Sequence, residues 1–281
     1  MQPVDNLVTL HVEEERLRGE HLALTARNEE LTDHMDMVRE AMNMLWAFTH
    51  DYTQKNEDEL TMQFLGIRLF NAAASSIKLA HSGYYQNAFS ALRDFLETLF
   101  LVDFLVSNSE KVNEWRSADA KALRNEFGPA AVRDALDKRD GFKEKKRKQL
   151  YDLISHHATH ATPSGFKLTV KDTLGEIGPF YRPESFVAWA QEAVKMSCNS
   201  GVVFGAFFKD VGLPLLKTKE HYIGELEKWR AKYFGAPASQ PGGGPFHTRA
   251  SPASRAPSRC ARAHSRRALR GATTKHTSAC P

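Results

Sequence analysis

The sequence predicts an all-α protein, an antiparallel helical bundle with a long N-terminal helix, a short hairpin or loop near residues 163–183 and a disordered C-terminal tail. Three observations predict it. Apolar residues recur with the helical period over most of the first 234 residues. Proline and glycine cluster between these periodic segments rather than within them. The composition changes abruptly after Gly235, where apolar residues become rare.

The first 50 residues carry an apolar side chain at every seventh position: Leu10, Leu17, Leu24, Leu31, Val38 and Leu45. The other line of the repeat is mostly polar: Leu7, Glu14, His21, Asn28, Met35 and Met42. A coiled coil needs both lines apolar. Two interpretations therefore stay open. The segment is either a helix that forms a homodimer, or a long helix that packs on its own domain after Met35 and frays before it.

Seven further helices are predicted, over residues 57–80, 84–106, 110–125, 130–138, 143–160, 184–211 and 213–234. Gly83 is expected to follow the end of the first of these, and Pro129 to open the fourth. Alternation of Phe166, Leu168 and Val170 with polar residues predicts a short strand. The expected organisation is a helix over 1–50, a bundle over 51–236 and a basic tail over 237–281.

Charge is distributed unevenly along the chain. The formal net charge is +4, but residues 237–281 hold eight Lys and Arg residues and no acid. The remainder has 30 basic and 34 acidic residues, so the predicted bundle is mildly acidic. The tail is either an arginine-rich arm for nucleic acid or an accidental extension of the reading frame, and the second interpretation is favoured.

Other features of the composition point to a soluble protein of the cytoplasm. Only Cys198 lies outside the tail, so there is no disulfide framework. The first 15 residues have neither the basic nor the apolar region of a signal peptide. The most apolar stretch, residues 95–106, is too short for a membrane span and contains Glu97 and Asp103. No membrane contact and no cofactor is expected.

Arg93 and Glu97 form an i, i+4 pair inside this most apolar helix. Buried charges need partners, and Tyr151 and His160 of the helix over 143–160 are the candidates. One interpretation makes Arg93, Glu97, Tyr151 and His160 a catalytic or binding site. The other makes them a buried polar cluster that only specifies the fold.

Two weaker patterns lie on the predicted helix over residues 143–160. Asp152, His156 and His160 share one face and are weak candidates for a metal site, although no further ligand completes it. The run Lys143–Lys148 opposes the helix dipole at a helix N-terminus. A bound nucleic-acid phosphate or plain solvation would each explain that run.

Two separated motifs carry a resemblance over residues 57–212. Gly83-Tyr84-Tyr85-Gln86-Asn87-Ala88 followed by Leu92-Arg93-Asp94-Phe95-Leu96-Glu97 resembles the "GYYxxAxxLxRxxxE" helix of a bacterial helical domain family of unknown function, loosely grouped with HEPN-like bundles. Residues 151–166 resemble its "YxxLSxxATHxTxxGF" motif. Trp115, Phe127-Gly128-Pro129 and Val132-Arg133 lie where the family has similar residues.

The resemblance implies an antiparallel helical bundle. Relatives include metal-independent RNases whose motif is an arginine followed closely by a histidine, and here Arg147 and His156 are too far apart for it. Arg27 and His34 match it, as do two pairs in the tail. The first functional hypothesis is a self-associating helical bundle with a buried Arg/Glu/His cluster. The alternatives are a HEPN-like endoribonuclease in phage defence or a toxin system, with His160 as acid and base, and an RNA-binding helical protein.

Overall fold

The computed structural model describes residues 6–159, 162–163, 165–171 and 174–235. This part contains ten α-helices: α1 (Asn6–Ala26), α2 (Glu29–Trp46), α3 (Glu57–His81), α4 (Tyr85–Ser107), α5 (Lys111–Ser117), α6 (Ala120–Asn125), α7 (Pro129–Arg139), α8 (Lys146–Ile154), α9 (Pro183–Phe207) and α10 (Leu213–Phe234). The predicted all-α fold is confirmed. The predictions for residues 237–281 and for His160 fall outside the described residues. None of the described helices is long and apolar enough to cross a membrane.

The long N-terminal helix is interrupted once, between α1 and α2. Asn28 has an extended backbone, and its side chain accepts a hydrogen bond of 3.1 Å from the backbone N–H of Leu31. Asparagine is a favoured N-cap residue, and the two glutamates that follow it suit the positive end of the helix dipole. A new helix therefore starts at Glu29, where the sequence predicted a continuous one.

The heptad line is part of the protein's own core. Leu17, Leu31, Val38 and Leu45 are each at most 2% exposed, and α2 packs against α9, α3 and α10. This favours packing on the own domain over dimerisation through these leucines. The prediction that the helix frays before Met35 is wrong, because Leu17 and Leu31 are already buried. Residues 6–50 also belong to the same compact unit as the rest of the described chain, rather than to a separate segment.

Helices α3, α4 and α9 form the centre of the core. The indole N–H of the fully buried Trp189 donates to Ser76 Oγ at 2.8 Å, and Ser76 Oγ donates to the carbonyl of Ala88 at 2.8 Å. Each polar group in this buried chain therefore has a partner, as a buried polar group requires. These two bonds join the three central helices.

Glycine is needed at the end of α3. Gly83 follows the C-cap residue Ser82 as predicted and has φ +83°. A Cβ there would lie 2.7 Å from the carbonyl oxygen of Phe180. The loop that enters α9 therefore passes directly over this residue, because no side chain stands in its way.

The structure corrects three details of the predicted elements. The helix over 110–125 is split into α5 and α6, because Asp119 caps a new helix by accepting from the N–H of Ala122. The helix over 143–160 begins at Lys146 and opens into a wide π turn over Ser155–Thr159. Residues Gly165–Leu168 form a 3₁₀ turn instead of a strand, and the predicted hairpin is β1 (Val170–Lys171) paired antiparallel with β2 (Leu174–Gly175).

Candidate functional site

Arg93 contacts three other polar side chains in a cluster between α4 and α8. Its Nε donates to Ser155 Oγ at 3.3 Å, and its Nη2 lies 3.1 Å from Glu97 Oε2. Nη2 also donates to the hydroxyl oxygen of Tyr151, whose O–H donates to Glu97 Oε2 at 3.4 Å. We call these four residues, together with Arg133 of α7, whose guanidinium lies over the Tyr151 ring, the polar centre.

Helical spacing explains how two elements build this cluster. Arg93 and Glu97 lie one turn apart on α4, and Tyr151 and Ser155 lie one turn apart on α8 and the turn that follows it. Side chains at i and i+4 share one helix face. Two such faces turned toward each other bring all four groups within hydrogen-bonding distance.

The polar centre is open to solvent on one side. The side chains of Arg93 and Glu97 are 26% and 32% exposed, whereas Ser155 is buried. The sequence predicted a buried pair. Partial exposure lowers the desolvation cost of both charges and leaves the guanidinium of Arg93 accessible to a ligand.

Arg133 of α7 adds a second cation, which the sequence linked to the family resemblance but not to this site. Its guanidinium carbon lies 4.0 Å from the ring centroid of Tyr151, and that of Arg93 lies 4.8 Å from the same centroid. Arg133 is 8% exposed, and its Nε and one Nη have no hydrogen-bond partner among the described residues. The tyrosine ring offsets part of the burial cost, but the hydrogen-bonding capacity stays unused.

The π turn after α8 is held against α4. Ser90 Oγ donates to the carbonyl of Ala158 at 2.9 Å, and Gln86 Nε2 donates to the same oxygen at 3.4 Å. The turn ends at Thr159, one residue before the predicted catalytic His160, which lies outside the described residues. Turns of this kind are frequent at functional sites.

The weak metal candidates are not brought together as a site. Asp152 is exposed and pairs with Lys148, and His156 is exposed with its ring 5.5 Å from that of His157. Within the part of the chain that the structure describes, no three His, Cys, Asp or Glu side chains are placed to hold a metal ion. The third candidate, His160, is outside that part.

The basic run at the start of α8 is divided between solvent and core. Lys143, Lys145, Lys146 and Lys148 are exposed. Arg147 is 3% exposed, lies 2.9 Å from Asp137 and also pairs with Asp140. Arg147 therefore cannot contact nucleic acid in this structure, because its charge is used inside the protein.

Arg27 and His34 match the RNase motif, but both ring nitrogens of His34 already contact other side chains. Trp229 Nε1 donates to His34 Nδ1 at 3.3 Å, and His34 Nε2 lies 3.4 Å from Glu30. Burial lowers the pKa of His34. Arg27 is exposed and donates to the carbonyl of Ala23. The structure therefore does not bring this arginine and histidine together as a site.

A second buried polar cluster, around His21, was not selected from the sequence. His21 lies within hydrogen-bonding distance of the carbonyl of His81 and of the hydroxyl of Tyr85, and it is completely buried. Burial lowers the pKa of both histidines. Nothing at this cluster reaches the surface, so it joins helices rather than forming an accessible site.

Comparison with known proteins gives no match to a family model, to a curated protein or to a solved structure. The polar centre is therefore the feature of the molecule from which a function can be inferred.

Proposed function

We propose that this protein is a helical RNA-binding protein whose polar centre recognises a phosphate group. The observation that carries the proposal is the pair of guanidinium groups at one tyrosine ring, 4.0 and 4.8 Å from its centroid. Among the described residues, Glu97 is the only acid paired with either arginine, so the centre has one more positive charge than negative.

The donors of the centre suit a phosphate. Guanidinium groups form two parallel hydrogen bonds to phosphate oxygens. Arg93 is accessible from solvent, and the buried guanidinium of Arg133 lies behind it at the same tyrosine ring. Arg133 therefore acts on a bound phosphate through its charge and not through direct hydrogen bonds. A bound phosphate would offset the cost of the buried, unpaired cation.

The exposed lysines of α8 favour a polymer over a single phosphate. Lys146 and Lys148 precede Tyr151 on the same helix, which places them about 5–8 Å away along its axis. A strand that contacts Arg93 could contact these lysines through a neighbouring phosphate. Because the rest of residues 1–236 is mildly acidic, we expect binding at this surface and not over the whole protein.

Fluorescence anisotropy with labelled single-stranded RNA tests the proposal. Arg93→Gln and Arg133→Met should each weaken binding about tenfold, and Arg93→Gln should reduce the salt slope by about 0.7 for one lost phosphate contact. The matched control is Arg68→Gln, because Arg68 is 61% exposed and pairs with Asp94 away from α8. Equal affinity of all four proteins would contradict the proposal.

A metal-independent endoribonuclease is the second candidate. The π turn that leads to His160 is held on α4 beside Arg93, which favours a role for both residues. In this mechanism His160 would transfer the proton, Arg93 would stabilise charge on the phosphate, and Glu97 and Tyr151 would position Arg93.

RNA cleavage in the presence of a metal chelator distinguishes the two candidates. Wild type should cleave a mixed RNA, and His160→Ala and Arg93→Ala should not. Binding without cleavage by wild type would exclude the nuclease and leave the binding proposal intact.

A further inference from the structure

Helix α1 is attached to the rest of the protein by few buried side chains. Of its 21 residues, all of which the structure describes, only Leu17 and His21 are buried. Apart from those of His21, its polar contacts lie near the surface. In the ion pair of Glu15 with Lys78 of α3, for example, both side chains are more than half exposed. Exposed pairs of this kind add little stability, so the attachment of α1 depends mainly on its two buried residues.

The imidazole of His21 fills a pocket lined by aromatic rings. The centroid of its ring lies 4.5 Å from that of Phe186 of α9 and 5.1 Å from that of Tyr181, which precedes α9. Tyr85 of α4 and His81 of α3 lie at 5.9 and 6.4 Å. We call these four rings the aromatic pocket. One side chain of α1 thus contacts three other helices and a loop.

The hydrogen bonds in the aromatic pocket suit a neutral ring. His21 Nδ1 lies 2.8 Å from the carbonyl oxygen of His81, which can only accept, and Nε2 lies 2.9 Å from the hydroxyl of Tyr85. A neutral imidazole donates at one nitrogen and accepts at the other. A proton on Nε2 would take the acceptor away from the Tyr85 hydroxyl and place a charge in a completely buried position.

The surroundings do not compensate for such a charge. The titratable and charged groups around the pocket are Glu20 of α1, His81 of α3, Tyr85 of α4 and, before and within α9, Tyr181, Arg182 and Glu184. Burial lowers the pKa of His21, although the carboxylate of Glu20 favours the charged ring. Burial also lowers the pKa of His81, whose ring contacts Phe186 and Trp189 and is therefore not buried by α1 alone. Docking of α1 thus requires a neutral His21.

We propose that α1 is an acid-released helix, which leaves the aromatic pocket when His21 is protonated while the rest of the bundle stays folded. The joint at Asn28 permits this release, because α2 keeps its own N-cap without α1. The buried hydrogen bonds from Trp189 through Ser76 to Ala88, which join the central helices, do not involve α1. Release would uncover the aromatic pocket, so the acid form has an apolar surface that the neutral form lacks.

The expected pH range follows from the ordinary pKa of histidine. A released His21 takes up a proton near pH 6.5, whereas the docked one resists it. The docking equilibrium is therefore constant above about pH 7 and weakens below about pH 6.5, by up to about tenfold per pH unit, until the docked ring is also protonated. The release is independent of the polar centre, whose residues lie on α4, α7 and α8 and the turn after α8.

Hydrogen–deuterium exchange of the full chain at pH 7.5, 6.5 and 5.5 tests the proposal. After correction for the intrinsic effect of pH on amide exchange, the protection of the amides of α1 should decrease about tenfold between pH 7.5 and 5.5. The amides of α2 should stay more protected than those of α1 at every pH. Protection of α1 that does not depend on pH, or that equals the protection of α2 at pH 5.5, would overturn the proposal.

Two variants assign the effect to His21. In His21→Gln the amide side chain can still donate and accept but does not titrate, so the decrease in α1 protection should disappear. His34→Gln is the matched control, because His34 is also buried but contacts Trp229 of α10 and not α1. This variant should keep the full decrease. Because the readout is the pH dependence and not the protection at one pH, a general loss of stability does not obscure it. A decrease in His21→Gln as large as in wild type would contradict the assignment.

Discussion

The Nε2 atom of His21 lies 2.9 Å from the hydroxyl oxygen of Tyr85, and both side chains are at most 1% exposed. The direction of this hydrogen bond can be deduced. His21 Nδ1 lies 2.8 Å from the carbonyl of His81, which only accepts, so Nδ1 carries the proton. Nε2 therefore accepts from Tyr85. The Tyr85 oxygen in turn accepts from the backbone N–H of Arg182 at 2.8 Å. This chain joins α1, α3 and α4 to the start of α9.

Removal of the Tyr85 hydroxyl should destabilise the fold. Tyr85→Phe leaves a buried imidazole nitrogen and a backbone N–H without partners, which costs about 1–3 kcal/mol. Urea denaturation should show this loss. Tyr84→Phe is the control, because its hydroxyl donates to Glu14 at 3.0 Å in a partly exposed position, and its effect should stay within about 0.5 kcal/mol. Equal effects of the two variants would contradict the assigned hydrogen bonds.

Acid should destabilise the protein through its buried histidines. Burial lowers the pKa of His21, His34 and His81 in the folded state. The unfolded chain therefore binds protons first, once the pH falls below about 6.5, and the free energy of unfolding decreases from there down through the folded pKa values.

Urea denaturation at several pH values between 8 and 5 measures this dependence. The free energy of unfolding should be constant above about pH 7 and decrease toward pH 5, before carboxylates begin to protonate near 4.5. NMR titration should assign the low pKa values to the three histidines. A free energy of unfolding that does not change over this range would refute the prediction.

Arg147 should be far more important for stability than its neighbour Lys148. Arg147→Met would leave Asp137, 4% exposed, without its cation, and loss of one partner from a buried ion pair costs about 3–5 kcal/mol. Lys148→Met removes an exposed i, i+4 pair with Asp152, worth at most about 1 kcal/mol. Chemical denaturation of both variants provides the comparison. Similar losses would mean that the buried network does not stabilise the fold.

Two glycines on neighbouring helices should respond oppositely to alanine. A Cβ on Gly201 of α9 would lie 2.4 Å from Cζ of the buried Tyr222, and such overpacking costs about 1–3 kcal/mol. A Cβ on Gly224 of α10 meets no described atom within 4 Å, so the higher helix propensity of alanine should stabilise by about 1 kcal/mol. Thermal unfolding followed by circular dichroism should give shifts of opposite sign. A Gly201→Ala variant as stable as wild type would show that α10 can move away from α9.

Local signals in the sequence were sufficient for most of the helices. Periodic apolar residues and Gly83 predicted α3 and α4 to within two residues, because both helices bury one continuous stripe. The break at Asn28 has an equally local signal, an N-cap asparagine followed by Glu29 and Glu30. The heptad pattern concealed it, since the leucine spacing continues across the break.

The sequence predicted only some of the residues of the polar centre. Arg93, Glu97 and Tyr151 stood out as polar groups among apolar neighbours, and the structure places them in contact. Their role as a site stays a prediction. Arg133 gave no comparable signal, because its position against Tyr151 depends on the packing of α7. The burial of Arg147 likewise depends on Asp137 and Asp140, which precede the loop at Gly141.

The joint at Asn28 also affects how the chain can tolerate insertions. In one continuous helix, each inserted residue would rotate everything beyond it by about 100° and turn the buried leucines toward water. Here an insertion within α1 need not rotate α2, because α2 starts anew from its own N-cap residue, Asn28. Such an insertion would disturb the contacts of α1 itself, including those of Leu17 and His21, while the α2–α9 packing keeps its alignment.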